Sequence, residues 1–497
     1  MNPPEATTHP GKPGALAMNI GAAVGVALVA MGFWVWGHQD LPLMFLSGDE
    51  RNYAEIGRRI ATGRGFTTGI VYPIEVGWGV DALHPSLLRP PLWPLLLGGA
   101  YSVAPADERT THLLLAVFFV LTCLLTYEIG KRLSGPGVGL LAGVTAAATP
   151  AFNRFAMIAG TEILLALWIA LATLLIIRRS NAFWIGVVCG LAYLSRYNAA
   201  VLLVAALLFL PVDRLRWKPY ILCVAGFLLA CAPWWIRNAM VTGEPTYSLY
   251  TATLWAAPGI LPGSMLHMLN PPGVDWLHPL IRSYHALPTA LTVWPAGGAN
   301  LVAFAGLFLG CLYWSRPHLF VACAFLMSKI AVTLVIINDR YLIPFVPSMI
   351  ALGSAAWILY GGRIGRVLLI TILFMPLLST LPQSPDFTDA TLEAARQQTR
   401  MHGAEHTLSR TSNRGLRECM DEETLAIAQD ASAVVWAVDN VTIQMPRSAD
   451  DFWELTESYP VEFVISPNPP GQHSERFRKA FRPREECGPH VFQRRVH

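Results

Sequence analysis

Apolar runs long enough to cross a bilayer recur along this chain, separated by short basic clusters. The first is AMNIGAAVGVALVAMGFWVWG at 17–37, followed by runs at 111–130, 136–152, 161–177, 182–196, 198–211, 219–236, 293–314, 318–337, 341–360 and 364–381. A helix needs about 20 apolar residues to span the hydrocarbon core, so the pattern predicts a polytopic bundle of about eleven spans. Arg and Lys gather on the cytoplasmic side of such bundles. That rule places KRL at 131–133, Arg178 and Arg179, DRLRWK at 213–218, Arg316 and GGRIGR at 361–366 in the cytoplasm, together with the N-terminal residues 1–16. It leaves 38–110, 237–291 and everything after about Leu381 outside. The alternation then requires that PPLWPLLLGGAYSVA, 90–104, does not cross. This stretch is short and opens on Pro90, Pro91 and Pro94, which predicts a helix lying in or re-entering the outer interface.

Residues 382–497 are soluble in composition. Strand-like runs at 432–438 and 461–466, a polar helix near 448–458 and a final strand HVFQRR predict a small α/β domain. The expected fold class is therefore mainly α: a membrane domain over 17–381, with a small extracytoplasmic α/β domain over 382–497.

Composition agrees with a membrane protein, at 53% hydrophobic and 14% charged residues with 16 Trp. The first run lacks the basic lead and small-residue exit of a cleaved signal, so it is expected to remain as a span. A net charge of +3 with scattered basic residues argues against nucleic acid as a partner. Of the 8 Cys, Cys123, Cys189, Cys223, Cys231, Cys311 and Cys323 fall in apolar runs, where buried thiols are ordinary. Cys419 and Cys487 lie in the tail, on the oxidising side, and are expected to form a disulfide.

The outer segment begins with a dense charged stretch, SGDERNYAEIGRRI at 47–60. Ser47 and Glu50 have capping-box spacing, and Asp49 falls in an acidic first turn. Tyr53, Ile56 and Ile60 share one face, with Arg51, Glu55, Arg58 and Arg59 opposite, as in a helix lying on the membrane surface.

Six stretches in order carry a family resemblance: GDERNYAEIGRR, RPPLWPLLLG, TPAFNRFAMIAGTE, GLAYLSRYNA, PWWIRNAMVTGEP and NDRYLIPFVP. Over about residues 17–360 the chain resembles the membrane-embedded GT-C glycosyltransferases, which include the protein O-mannosyltransferases and the lipid A aminoarabinose transferases. The order of the stretches is more specific than any one of them. The resemblance implies transfer of a sugar from a polyprenyl-phosphate donor to a lipid, glycan or protein acceptor at the outer membrane face, in a bacterial inner membrane with the tail on the periplasmic side. It matches Asp49 to the family's catalytic acid, Glu162 to its second outer acid, and Arg89 to the residue that meets the donor phosphate. The family often has Arg before the first-motif Tyr, whereas here Asn52 precedes Tyr53 and Arg51 is displaced by one.

The chemistry asks for the same residue types. Attack by a hydroxyl on an anomeric carbon needs a base, for which Asp49 is the candidate, with Glu50 beside it. The departing lipid phosphate needs cations more than a proton donor, and Arg suits bidentate phosphate binding. Arg89, Arg196, Arg237 and Arg340 are expected on the outer side, where isolated arginines also snorkel to head groups; Asp339 beside Arg340 could form a local ion pair. Tyr53 completes the expected phosphate site, with Lys329, an ionisable residue inside a membrane run, as a further member. No cofactor is expected. Asp49 and Glu50 diverge by about 100° on a helix, so no metal is expected either, His84 and Glu162 being the other candidates. A transporter or flippase is the alternative reading; it would place ionisable groups near the midplane and show repeated halves. A third is a non-catalytic scaffold whose tail binds a partner.

Overall fold

The computed structural model describes residues 13–38, 45, 47–158, 160–210, 217–249, 266–270, 298–335, 339–367, 410–488 and 490–495. Ten of the eleven apolar runs are helical: α1 (Pro13–Gly37), α4 (Glu108–Ser134), α5 (Pro136–Ala148) continuing into α6 (Pro150–Ala156), α7 (Glu162–Ile177), α8 (Ala182–Ser195), α9 (Val201–Phe209), α10 (Trp217–Thr242), α11 (Gly298–Leu312), α12 (Arg316–Val335) and α13 (Val346–Tyr360). The run at 364–381 lies outside the described residues beyond 367, as does most of the outer segment 237–291. Four helical stretches among the described residues are long and apolar enough to cross a membrane, and six shorter apolar helices accompany them.

Local chemistry sets the boundaries. Asp107 caps α4 by accepting from the Thr110 N–H at 2.8 Å; Lys131 and Arg132 stand in its last turn, and Gly135 stops it at φ 93°. The run at 136–152 breaks because Thr149 precedes Pro150 and is held extended at φ −68°, ψ 114°. The stretch expected to lie in the interface forms α3 (Leu92–Tyr101). Its 10 residues reach about 15 Å, half the hydrocarbon thickness.

The charged stretch forms α2 (Gly48–Ala61), with Ser47 accepting from the Glu50 N–H as expected. Its charged face is not solvated, which corrects the surface-helix expectation: Arg51, Glu55 and Arg59 are all buried. One side of α2 packs on α3 so closely that a Cβ on Gly57 would stand 2.7 Å from Leu97 Cβ. The C-terminal domain covers the other.

That domain is built on a six-stranded sheet in the order β1-β3-β2-β4-β6-β5. Its strands are β1 (Ile70–Val71), β2 (Leu425–Ala428), β3 (Val441–Gln444), β4 (Phe463–Ile465), β5 (Phe481–Pro483) and β6 (Val491–Arg494). The first four in spatial order run parallel, and β6 and β5 antiparallel. The strand expected at 461–466 and the last strand are present, as is the polar helix α16 (Ala449–Ser458). The strand expected at 432–438 is instead a helix, α15 (Ala431–Val438). Asp430 caps its start by accepting from the Ala433 N–H, Asp439 closes it in the left-handed region at φ 66°, and Ala431, Val434 and Val435 recur on its buried face. Two caps nine residues apart outweigh the β propensity of Val. The edge strand β1 comes from the outer segment that follows α2, so the sheet joins the two parts of the molecule. Helix α14 (Arg410–Cys419) is tied to the end of the domain by Cys419–Cys487, with Cα atoms 5.7 Å apart.

Candidate active site

Asp49, Arg89, Glu162, Arg196 and Arg340 come from five separate places in the chain and meet at one end of the bundle. Asp49 stands in the first turn of α2, Arg89 just ahead of α3, Glu162 at the first residue of α7, Arg196 immediately after α8, and Arg340 in the short turn Asp339–Tyr341 before α13. Each of these side chains stands at or just beside a helix end.

The five side chains alternate in sign along a ladder. Arg89 Nη2 donates to Asp49 Oδ1 at 2.6 Å, and Arg340 Nη2 to Asp49 Oδ2 at 3.1 Å. Arg340 Nε lies 3.0 Å from Glu162 Oε1, to which Arg196 Nη1 also donates at 2.6 Å. Among these five side chains three cations meet two carboxylates. Exposure is graded: the side chains of Glu162, Arg196 and Arg89 are under 10% exposed, while Asp49 and Arg340 are about a third exposed, at 36% and 33%. The middle of the ladder is thus open to a ligand, and its ends are anchored in protein.

The anchors are specific. Arg89 Nε donates to Asn52 Oδ1 at 2.5 Å, and its guanidinium lies 4.8 Å from the Tyr53 ring centroid. Asn52, where the resemblance led one to look for Arg, thus orients the arginine. Arg196 also donates to Thr161 Oγ1 at 3.3 Å and stacks 4.4 Å from the Tyr341 ring. The Arg89 charge, opposed by partial burial and reinforced by Arg340, holds the Asp49 carboxyl well below the usual carboxylate range.

Glu50 accepts from the Ser47 hydroxyl at 2.8 Å, on the capping side of the turn. Lys329 is half-buried within α12. Arg237 donates to the Phe66 carbonyl at 3.2 Å and lies 4.9 Å from the Trp234 ring, pinning the outer segment rather than joining the ladder. His84 lies not beside Glu162 but near Glu75, Nε2 to Oε2 3.9 Å, with its Nδ1 2.7 Å from the Gly79 carbonyl and both side chains buried. Burial pushes the Glu75 carboxyl up to about 8 and the His84 imidazole down to about 4. Among the described residues no group of three or more His, Cys, Asp or Glu is arranged to hold a metal.

Asn52, Thr161 and Tyr341 escaped sequence reasoning, although each is next to a residue that was singled out. The tail residues that hold α2 escaped it too: Arg51 reaches Asp430 at 2.5 Å and Ser432 at 3.2 Å, while Arg58 donates to the Val435 and Trp436 carbonyls at 3.0 and 3.1 Å.

Residues 88–236 match the dolichyl-phosphate-mannose-protein mannosyltransferase family. No curated protein matches the sequence. Solved structures match along 90% of the chain. ArnT from Cupriavidus metallidurans bound to undecaprenyl phosphate aligns with 14% identity and a TM-score of 0.52, covering 89% of that protein. The same protein in the apo state gives 13% and 0.52, covering 88%. The archaeal oligosaccharyltransferase AglB from Archaeoglobus fulgidus, in complex with an inhibitory peptide and a dolichol-phosphate, aligns with 12% identity and a TM-score of 0.54, covering 69% of its length. With its apolar helices, its small C-terminal sheet and these structural neighbours, this membrane protein has the GT-C fold, and over residues 88–236 it is similar to the protein mannosyltransferases.

Proposed function

We propose that this protein is a glycosyltransferase that moves a sugar from a polyprenyl-phosphate donor to a hydroxyl of a lipid, glycan or protein acceptor, at the outer face of a bacterial inner membrane. The observation that carries the reading is the Arg89–Asp49–Arg340–Glu162–Arg196 ladder, open at Asp49 and Arg340. Solved neighbours bound to undecaprenyl phosphate and dolichol-phosphate support the donor class.

The resting ladder explains how donor and base are coupled. Asp49 held by two arginines is a weak base. Oxygens of the donor phosphate compete for the Arg89 and Arg340 guanidiniums, which bind phosphate as readily as carboxylate. As the arginines turn to the phosphate, the Asp49 carboxyl rises toward its ordinary range and becomes able to take a proton. The acceptor oxygen then bonds to the anomeric carbon, the bond from that carbon to the phosphate oxygen breaks, and the acceptor proton passes to Asp49. Polyprenyl phosphate leaves on the arginines. Glu162, buried and bonded to Arg196, holds Arg340 in reach rather than touching the reacting atoms.

Purified protein in liposomes, given undecaprenyl-phosphate-linked radiolabelled sugars and membrane extract as acceptor, is expected to release undecaprenyl phosphate and transfer label, with Asp49→Asn inactive. Sugar transfer undiminished in Asp49→Asn would remove Asp49 as the base; absence of transfer from any such donor would sink the reading.

A further inference from the structure

The first turn of α2 faces two ways. Toward the bundle it presents Asp49, Asn52 and Tyr53, all engaged with Arg89. Toward the C-terminal domain it presents Arg51, which is buried and reaches the head of α15. There Arg51 Nη2 pairs with Asp430 Oδ2 at 2.5 Å and Nε donates to Ser432 Oγ at 3.2 Å. Asp430 uses its other oxygen to cap α15, accepting from the Ala433 N–H at 3.1 Å and the Ser432 hydroxyl at 2.5 Å.

A second arginine repeats the grip seven residues on. Arg58 reaches the last carbonyls of α15, Val435 and Trp436, and lies 4.7 Å from the Trp436 ring, whose Nε1 donates to Glu108 at the start of α4. Arginines two turns apart on α2 thus hold the two ends of α15, so the helices run side by side in the same direction. The fit leaves no slack at the head: a Cβ on Gly48 would stand 3.1 Å from Ser432 Oγ.

We propose that Arg51 is a positioning residue for the catalytic turn: by gripping Asp430 and Ser432 it makes the C-terminal domain part of the frame that aims Asp49 and, through Asn52, Arg89. The catalytic consequence rests on the glycosyltransferase reading; the positioning itself does not. A backbone turn fixed on one side by a buried ion pair transmits that restraint to the side chains on its other side, because the backbone between them is a single hydrogen-bonded helical turn.

The test uses the full-length protein in detergent and the variants Arg51→Ala, Asp430→Asn, the double variant, and Arg51→Lys. Asn keeps the capping oxygen of Asp430 while removing its charge, so the C-terminal domain remains folded in that variant. Hydrogen exchange of the backbone amides at 51–54 is expected to quicken about 10-fold in each single variant, no further in the double, and by less in Arg51→Lys, with α4 and α7 unaffected. Binding of undecaprenyl phosphate, read by Trp fluorescence, is expected to weaken about 10-fold in the same variants. Unchanged exchange at 51–54, exchange that quickens equally throughout the bundle, or loosened exchange with undiminished lipid binding would each overturn the proposal. Failure of the wild type to bind undecaprenyl phosphate would overturn the donor reading, and the exchange data would still decide whether Arg51 positions the turn.

Discussion

At the scale of single residues, two carboxylates in one ladder are expected to answer mutation differently. Asp49 is about a third exposed, and its partner Arg89 keeps Asn52 and Tyr53 when Asp49 becomes Asn. Asp49→Asn is therefore expected to fold with a smaller loss of Tm than a change at buried Glu162 brings, and to lose roughly 10² to 10⁴ in transfer rate. Glu162 is buried between Arg196 and Arg340, so Glu162→Gln strands buried charge and is expected to cost about 3–5 kcal/mol of stability, read as a lower Tm and yield. A third residue gives a pH signature. The buried Glu75 carboxyl, raised from 4.5 to about 8, stays protonated in the folded protein while it ionises in the unfolded chain. Stability is lost as pH rises between those two values and is unaffected below the lower one. Glu75→Gln is expected to stabilise the fold at neutral pH by roughly 3 kcal/mol at most, seen as a higher Tm, and to leave Tm unchanged near pH 4. The sequence made Asp49, Arg89, Glu162, Arg196 and Arg340 legible because charge at an outer helix end stands out against an apolar background. It did not make their pairing legible, since five distant segments meet only in the fold, nor Asn52 and Tyr341, which look ordinary alone.

At the scale of elements, the helices were legible because bilayer thickness imposes a length on apolar runs that a reader can count. Short strands buried on both faces impose no such period. LAIA and VTIQ, four residues each, are too short for a period to mark them as strands, and the Val-rich composition of 432–438 predicts a strand where two caps outside it make a helix. The α2–α3 crossing supplies a test at this scale. A Cβ at Gly57 meets Leu97 Cβ at 2.7 Å, whereas one at Gly99, a neighbour on the same helix α3, meets nothing within 4 Å. Gly57→Ala is expected to destabilise by about 1–3 kcal/mol and to depress transfer, because the helix it displaces carries Asp49. Gly99→Ala is expected to be neutral or to stabilise by roughly 0.5–1 kcal/mol. Thermal unfolding of both variants in detergent checks the contrast.

At the scale of the whole molecule, the C-terminal domain and the outer segment share one sheet and one set of ion pairs. The Cys419–Cys487 bond closes a loop of 68 residues around most of that domain. Its loss in Cys487→Ser is expected to lower the domain's stability by about 4 kcal/mol, seen as an earlier unfolding transition that reductant reproduces in the wild type alone. The pairing of Ile70 with Thr442 has a consequence in time. Strand β1 leaves the ribosome roughly 370 residues before its partner β3, which at about 5–20 residues per second is a delay on the order of half a minute. Throughout that interval the segment after α2 waits without its sheet. Residues 425–444 thus complete the packing around α2 long after α2 itself is made, so a chain cut short before them would form its earlier helices and leave Arg51 and Arg58 without Asp430, Val435 and Trp436.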